Sequence, residues 1–223
     1  MKNLIAVTLV VGALAGCKKF GGTPTTEDDK TLYALGMIIG RNLGDFNLTP
    51  RELDVVKTGM TDMVQKKKLA VELETYGPKV QAFHMKRRQD KATAEKQRGQ
   101  AALEGAAREP GAVKTPAGAI VRTVKPGTGE VPQPTDKVKV NYTGKLLDGT
   151  VFDTSKKQGG QPVTFPLNGV IKCWTEGVGR MKVGETAVLT CPSDAAYGDA
   201  GQGDRIPPGS TLVFEVELLG IEK

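Results

Sequence analysis

The sequence predicts an α+β protein: an N-terminal all-α region with a long stalk helix, then an antiparallel β-sheet packed on one short helix. Three observations carry this. Apolar residues recur at spacings of three and four up to about residue 76, a run rich in Ala, Lys, Glu, Gln and Arg follows to about residue 107, and from about residue 112 the pattern switches to period two. The 223 residues are 39% hydrophobic, enough for the core of one large or two ordinary domains. The formal charge is +6, but basic and acidic residues are interleaved, which reads as a solvated surface and not as a nucleic-acid patch.

Residues 1–17, MKNLIAVTLVVGALAGC, have a basic start at Lys2, an apolar run from Leu4 to Leu14 and small residues before Cys17. The run is too short for a stop-transfer helix, so a secretory signal is expected. The ending Leu14-Ala15-Gly16-Cys17 resembles a bacterial lipobox, which implies a lipidated Cys17 at the mature N-terminus and anchoring through its acyl chains. Lys18 departs from the aspartate of the inner-membrane retention signal, so the expected address is the outer membrane, facing the periplasm. Residues 18–28 are polar, contain Gly and Pro and lack periodicity, as a flexible tether would.

In residues 29–76, Leu32, Leu35, Ile39, Leu43 and Phe46 lie on one helical face. Thr49-Pro50-Arg51-Glu52 then supplies an N-cap, a proline at the first helical position and a glutamate at N3. Leu53, Val56, Met60, Met63 and Val64 continue as a second stripe. Exposed stripes of this kind call for a cover, and a second copy of the chain, hence a homodimer, is expected. Gly77-Pro78 reads as a break. Residues 77–110 are good helix formers whose apolar residues thin out after Phe83 and Met85, so this segment is expected to be a solvent-exposed stalk roughly 45 Å long, with disorder as the competing reading.

The second half, residues 111–223, alternates. Ile120, Arg122 and Val124 face one way and Val121, Thr123 and Lys125 the other; Val138, Val140 and Tyr142 alternate with Lys137, Lys139 and Asn141. Asp148-Gly149 between apolar flanks signals a hairpin turn, and TLVFEVELLG is a last strand with one apolar face. Only CWTEGVGRM suggests a helix here, and a sheet packed on it buries both.

Several chemistries are excluded by composition. The single histidine, His84, lies in the helical half, so no Ser-His or Cys-His pair exists in the β-rich half. Cys17, Cys173 and Cys191 do not have zinc-ligand spacing, and no metal or other cofactor is called for. YGDAGQGDRIPPG lacks the Gly-Lys-Ser/Thr ending of a phosphate loop and reads as a surface loop.

VNYTGKLLDGTVFDTS, VTFPLNGVIKCWTEGVGRMKVGE, LTCPSDAAYG and IPPGSTLVFEVELL, in that order, closely resemble the FKBP-type peptidyl-prolyl cis-trans isomerases across essentially all of residues 113–223. LYALGMIIGRNL and the long helix look like the dimerisation region of the macrophage infectivity potentiator-like branch. The resemblance implies a sheet curled around the short helix, with a pocket between them made by Tyr142, Phe152, Asp153, Phe165, Val170, Ile171, Trp174, Tyr197, Ile206 and Phe214, and with Val163 at the rim. Six of the eleven aromatic residues fall on these positions, a concentration that a random core would not give.

In the implied activity no covalent bond breaks. The X-Pro amide resists rotation by roughly 18 to 20 kcal/mol because of its partial double-bond character, and a pocket lowers that barrier by desolvating the amide and by positioning it. By resemblance the proline ring stacks over Trp174, the Ile171 N–H and the Tyr197 hydroxyl hold substrate carbonyls, and Asp153 is an orienting, electrostatic group. The implied partners are unfolded or Pro-containing clients and macrolide ligands of the family. Val163, Arg205 and Cys173 depart from the family pattern, so the rim is expected to differ. Two questions stay open on the residues alone: whether Cys173 and Cys191 are bridged or are two buried thiols, and whether the domain catalyses, only grips Pro-containing segments, or uses those thiols in redox chemistry.

Overall fold

The computed structural model describes residues 22–223, so the signal segment and Cys17 lie outside the described residues. Helix α1 (Glu27–Leu43) starts where the Thr26 side chain accepts the Asp29 N–H at 3.1 Å, with three acidic residues in its first turn to complement the helix dipole. It belongs to a compact unit that ends at Gly44. No residue of α1 is buried: Leu32, Leu35, Met37 and Ile38 each expose more than half their surface.

The second unit runs from Asp45 to Lys223. Helix α2 (Pro50–Val64) has the capping box that its sequence predicts: Thr49 Oγ1 accepts the Glu52 N–H, and the Glu52 carboxylate accepts the Thr49 N–H at 2.8 Å. Those bonds hold the Glu52 carboxyl below its ordinary range. Glu52 also pairs with Arg87 on helix α3 (Leu73–Ala107), while His84 of α3 packs on Phe46 at 4.7 Å. Gly77-Pro78 does not break α3. Pro78 sits one turn past the start, where the missing N–H costs only the bond to the Glu74 carbonyl.

Nor is α3 a free stalk along its whole length. Ala92 is 1% exposed and Gly99 is buried, both against the loop before the last strand, and Lys96 pairs with Asp194 and Asp199. Large apolar side chains are absent from this face because the contact is backbone against backbone. A Cβ on Gly209, whose φ of 75° already favours glycine, would collide with the Ala92 main chain, and one on Gly99 would overlap Thr211 Oγ1.

Seven strands among the described residues form one antiparallel sheet: β1 (Ala112–Lys114), β2 (Ile120–Lys125), β3 (Lys137–Leu146), β4 (Val151–Thr154), β5 (Val163–Pro166), β6 (Thr186–Cys191) and β7 (Leu212–Glu222). The order is β1-β2-β6-β7-β3-β4, and β5 shares the far edge of β3 with β4. The long β3–β7 pairing sets the register, placing Tyr142 opposite Val216 and Gly144 opposite Phe214. Asp148-Gly149 makes the β3–β4 turn, with Gly149 at φ 87° and the Leu146 N–H bonded to the Thr150 carbonyl at 2.9 Å.

Helix α4 (Lys172–Val178) packs on the concave face. Gly177 lets it approach Leu189 of β6 closely, and the Glu176 carboxylate, held below its usual range chiefly by the Ala117 N–H, anchors it to the β1–β2 turn at 2.7 Å. Cys173 of α4 and Cys191 of β6 are disulfide-bonded, 18 residues apart, with Cα atoms 5.6 Å apart and no exposed surface. A buried bridge of this kind offers no accessible thiol, which removes the redox reading. Reduction, or Cys173→Ser with Cys191→Ser, is expected to lower unfolding stability by about 3 kcal/mol in urea denaturation, with the transition still cooperative. An unchanged midpoint would show that the bridge does not brace α4.

Candidate active site

Three strands converge on Trp174, which α4 carries. It is the third residue of α4, 4% exposed, with its ring inward, and its indole N–H is buried without an acceptor among the described residues, so packing holds the ring. Tyr142 (β3), Phe165 (β5) and Phe214 (β7) meet it edge to face at centroid distances of 5.2, 5.8 and 5.4 Å, with interplanar angles of 88°, 88° and 83°. Phe152 of β4 stands perpendicular to Phe214 at 5.5 Å. Gly144 makes that last pair possible, since a Cβ there would lie 2.6 Å from the Phe152 ring and 2.9 Å from Phe214.

These rings wall an open cavity of about 320 Å³ together with Asp153, Gly169, Val170, Ile171 and Tyr197. Its size suits a proline ring with the flanking amide. Polar groups stand only at the rim. Tyr142 donates its hydroxyl to Asp153 Oδ2 at 2.6 Å, and the other carboxylate oxygen accepts the Thr154 N–H at 3.0 Å. Ser155, buried just beyond β4, accepts the Tyr142 N–H at 3.1 Å and fixes the strand beneath the phenol. Burial, then the bond to Asp153 and its negative charge, pushes the Tyr142 phenol far up; burial and Asp153 raise Tyr197. Both therefore remain hydrogen-bond donors at neutral pH. The Ile171 N–H and the Tyr197 hydroxyl have no protein partner among the described residues.

The cavity thus brings together nine of the expected positions: Tyr142, Phe152, Asp153, Phe165, Val170, Ile171, Trp174, Tyr197 and Phe214. Two lie elsewhere. Val163 shares the β5 face with Phe165, but its short side chain is not part of the cavity wall. Ile206 is 3% exposed and spent in the core, its backbone bridged to Gln202. Two further residues belong to the site without a sequence signal: Gly169, which lines the cavity without a side chain, and Ser155, whose role depends on its bond to Tyr142 across the chain and leaves no local signature.

Comparison with known proteins gives this geometry a family. A family model described as "FKBP-type peptidyl-prolyl cis-trans isomerase" matches residues 129–219, and one described as "Domain amino terminal to FKBP-type peptidyl-prolyl isomerase" matches residues 28–120. The FKBP-type 22 kDa peptidyl-prolyl cis-trans isomerase of Escherichia coli is 39% identical, over 89% of this chain and 98% of its own length. The chain belongs to the FKBP-type peptidyl-prolyl cis-trans isomerases. Among other relatives, the isomerase Mip of Coxiella burnetii is 34% identical over the full length of both chains, and the outer membrane protein MIP of Legionella longbeachae is 35% identical over 89% of this chain and 88% of its own. The crystal structure of FkpA from Escherichia coli superposes with a TM-score of 0.68 at 33% identity, covering 90% of this chain and 99% of that one. This FKBP-type enzyme therefore accelerates rotation about X-Pro bonds.

Because both phenols titrate above their ordinary range, their hydroxyls stay protonated through the working range. Activity toward a short prolyl peptide is expected to be flat from about pH 6 to pH 9, and an inflection in that range that Tyr142→Phe abolishes would contradict this assignment.

Proposed function

We propose that the Trp174 cavity is the prolyl site and that the enzyme works as a membrane-tethered dimer on unfolded, Pro-containing exported proteins. The observation that carries the first part is the edge-to-face enclosure of Trp174, which offers an apolar floor and leaves donors only at the rim. A proline ring seated on the indole places its amide among Tyr142, Asp153, Ile171 and Tyr197. The ring walls strip water from that amide, which disfavours the planar, charge-separated ground state relative to the twisted one. The Ile171 N–H and the Tyr197 hydroxyl hold neighbouring carbonyls and so fix the twist. Asp153 orients the Tyr142 phenol and sets the local field, with no proton transferred. Val170 packs against the substrate side chain, and macrolide ligands of the family compete for the same floor.

The relatives named Mip and outer membrane protein MIP, together with the lipobox ending at Cys17, support export and lipid anchoring at the outer membrane with the catalytic domain in the periplasm. Among the described residues no helix is long and apolar enough to cross a membrane. Residues 29–76 are the proposed dimerisation region: the exposed apolar residues of α1, and separately those of α2 and the turn after it (Val55, Met63, Val64, Leu69 and Val71), form surface that a second copy would cover. In this arrangement residues 77–110 link the pairing region to the isomerase domain of residues 111–223.

In a proline-limited refolding assay, Phe152→Ala and Asp153→Leu are each expected to lower kcat/KM roughly 10- to 100-fold, and a macrolide ligand is expected to inhibit the wild type. Refolding acceleration that survives both substitutions would refute the site. Light scattering of the protein lacking residues 1–17 is expected to give a dimer, and a monomer at high concentration would refute the pairing.

A further inference from the structure

The face of α3 made by residues 88, 92, 96 and 99 is seated on the segment 193–211, which carries Tyr197. Lys96 Nζ lies 2.7 Å from Asp199 Oδ1 and 3.0 Å from Asp194 Oδ1. Asp194 comes three residues before Tyr197 and Asp199 two after it, each in its own 3-10 turn, Ser193–Ala195 and Gly198–Ala200. One ammonium therefore ties together the two turns between which Tyr197 hangs. Two turns earlier on the helix, Arg88 Nη2 donates to the Ala200 carbonyl at 2.9 Å. Between these contacts Ala92 is buried against Gly209, whose own N–H bonds the Gly198 carbonyl at 3.0 Å, and Gly99 lies against Thr211. Spacings of four, four and three put all four residues on one side of the helix.

We propose that α3 is a splint for this segment and that Lys96 is a positioning residue for the Tyr197 hydroxyl. The segment needs such a splint: its regular structure amounts to two single 3-10 turns and one isolated bridge, and Gly198, Gly201, Gly203 and Gly209 all have positive φ, so local backbone preference alone holds Tyr197 weakly. Lys96 supplies the missing constraint at two points at once. Its charge persists at working pH, because the two carboxylates hold the ammonium above its ordinary range. The inference rests on the reading of Tyr197 as a substrate-holding residue.

The test uses the full-length protein, a short prolyl peptide, and kcat and KM measured separately. Lys96→Ala is expected to raise KM about 5-fold, the equivalent of losing ion pairs that together contribute about 1 kcal/mol, with a smaller change in kcat. Lys96→Arg, which preserves the charge, is expected to restore KM to within about twofold, and Lys86→Ala, which removes a lysine paired with Asp90 on the same helix, should leave both constants alone. In a Tyr197→Phe background the Lys96→Ala effect should vanish, because the hydroxyl it positions is gone. A Lys96→Ala enzyme with wild-type KM, beside an impaired Tyr197→Phe enzyme, overturns the splint alone; a Lys96→Ala effect undiminished without the hydroxyl does the same. A Tyr197→Phe enzyme with wild-type kinetics overturns the reading of the site and the splint with it. Should Lys96→Ala fold poorly, Asp199→Asn cuts the same tie from the other side and is held to the same outcomes.

Discussion

The structure turns on the perpendicular packing of aromatic rings around Trp174. Among the described residues the buried indole N–H has no acceptor, an unfavourable burial offset by three edge-to-face contacts, each contributing on the order of 1 kcal/mol beyond simple burial. Those contacts come from β3, β5 and β7, so the indole keeps its place only while the sheet keeps its register. A slip of one residue between β3 and β7 would put Tyr142 and Phe214 on opposite faces of the sheet and dismantle the cavity. Glycine at 144 and at 177 admits the rings and the helix, and the buried disulfide fastens the first turn of α4 to β6.

From that constraint the division of labour in the site follows. Isomerisation needs neither a nucleophile nor a proton relay, and the polar groups at the cavity are arranged accordingly. Tyr142 and Asp153 satisfy each other, while the Ile171 amide and the Tyr197 hydroxyl, both at the cavity, have donors unspent among the described residues. The walls supply desolvation and the rim supplies orientation. Arg205, whose Nη1 donates to the Phe152 carbonyl at 3.4 Å, adds a positive charge near both phenols at the rim.

Much of this was legible in the residues. The alternation in β3 and β7, the Asp148-Gly149 turn and the Thr49–Glu52 capping box are local signals, and each forms as its chemistry dictates. The order of four motifs then located the aromatic positions. What escaped depends on distance in sequence. The docking of α3 leaves no apolar stripe, because Ala92 and Gly99 contribute closeness and not surface, and small residues in a run of helix formers look like filler. Gly77-Pro78 reads as a stop, yet falls early enough in α3 to be absorbed. Ile206 sits beside rim residues in sequence but is drawn into the core, and Ser155 acts only through its pairing with Tyr142 across two strands.

Trp174 is the chain's one tryptophan, so its fluorescence reports on the cavity floor and on nothing else. The most direct test of the prolyl site is to titrate the full-length protein with a prolyl peptide or a macrolide ligand while following that emission and the isomerase rate together. If the ring seats on the indole, the emission changes saturably with the same midpoint as the loss of peptide turnover, and Phe214→Ala weakens both in parallel. A ligand that inhibits fully while the emission stays unchanged would place the site away from Trp174 and contradict the mechanism.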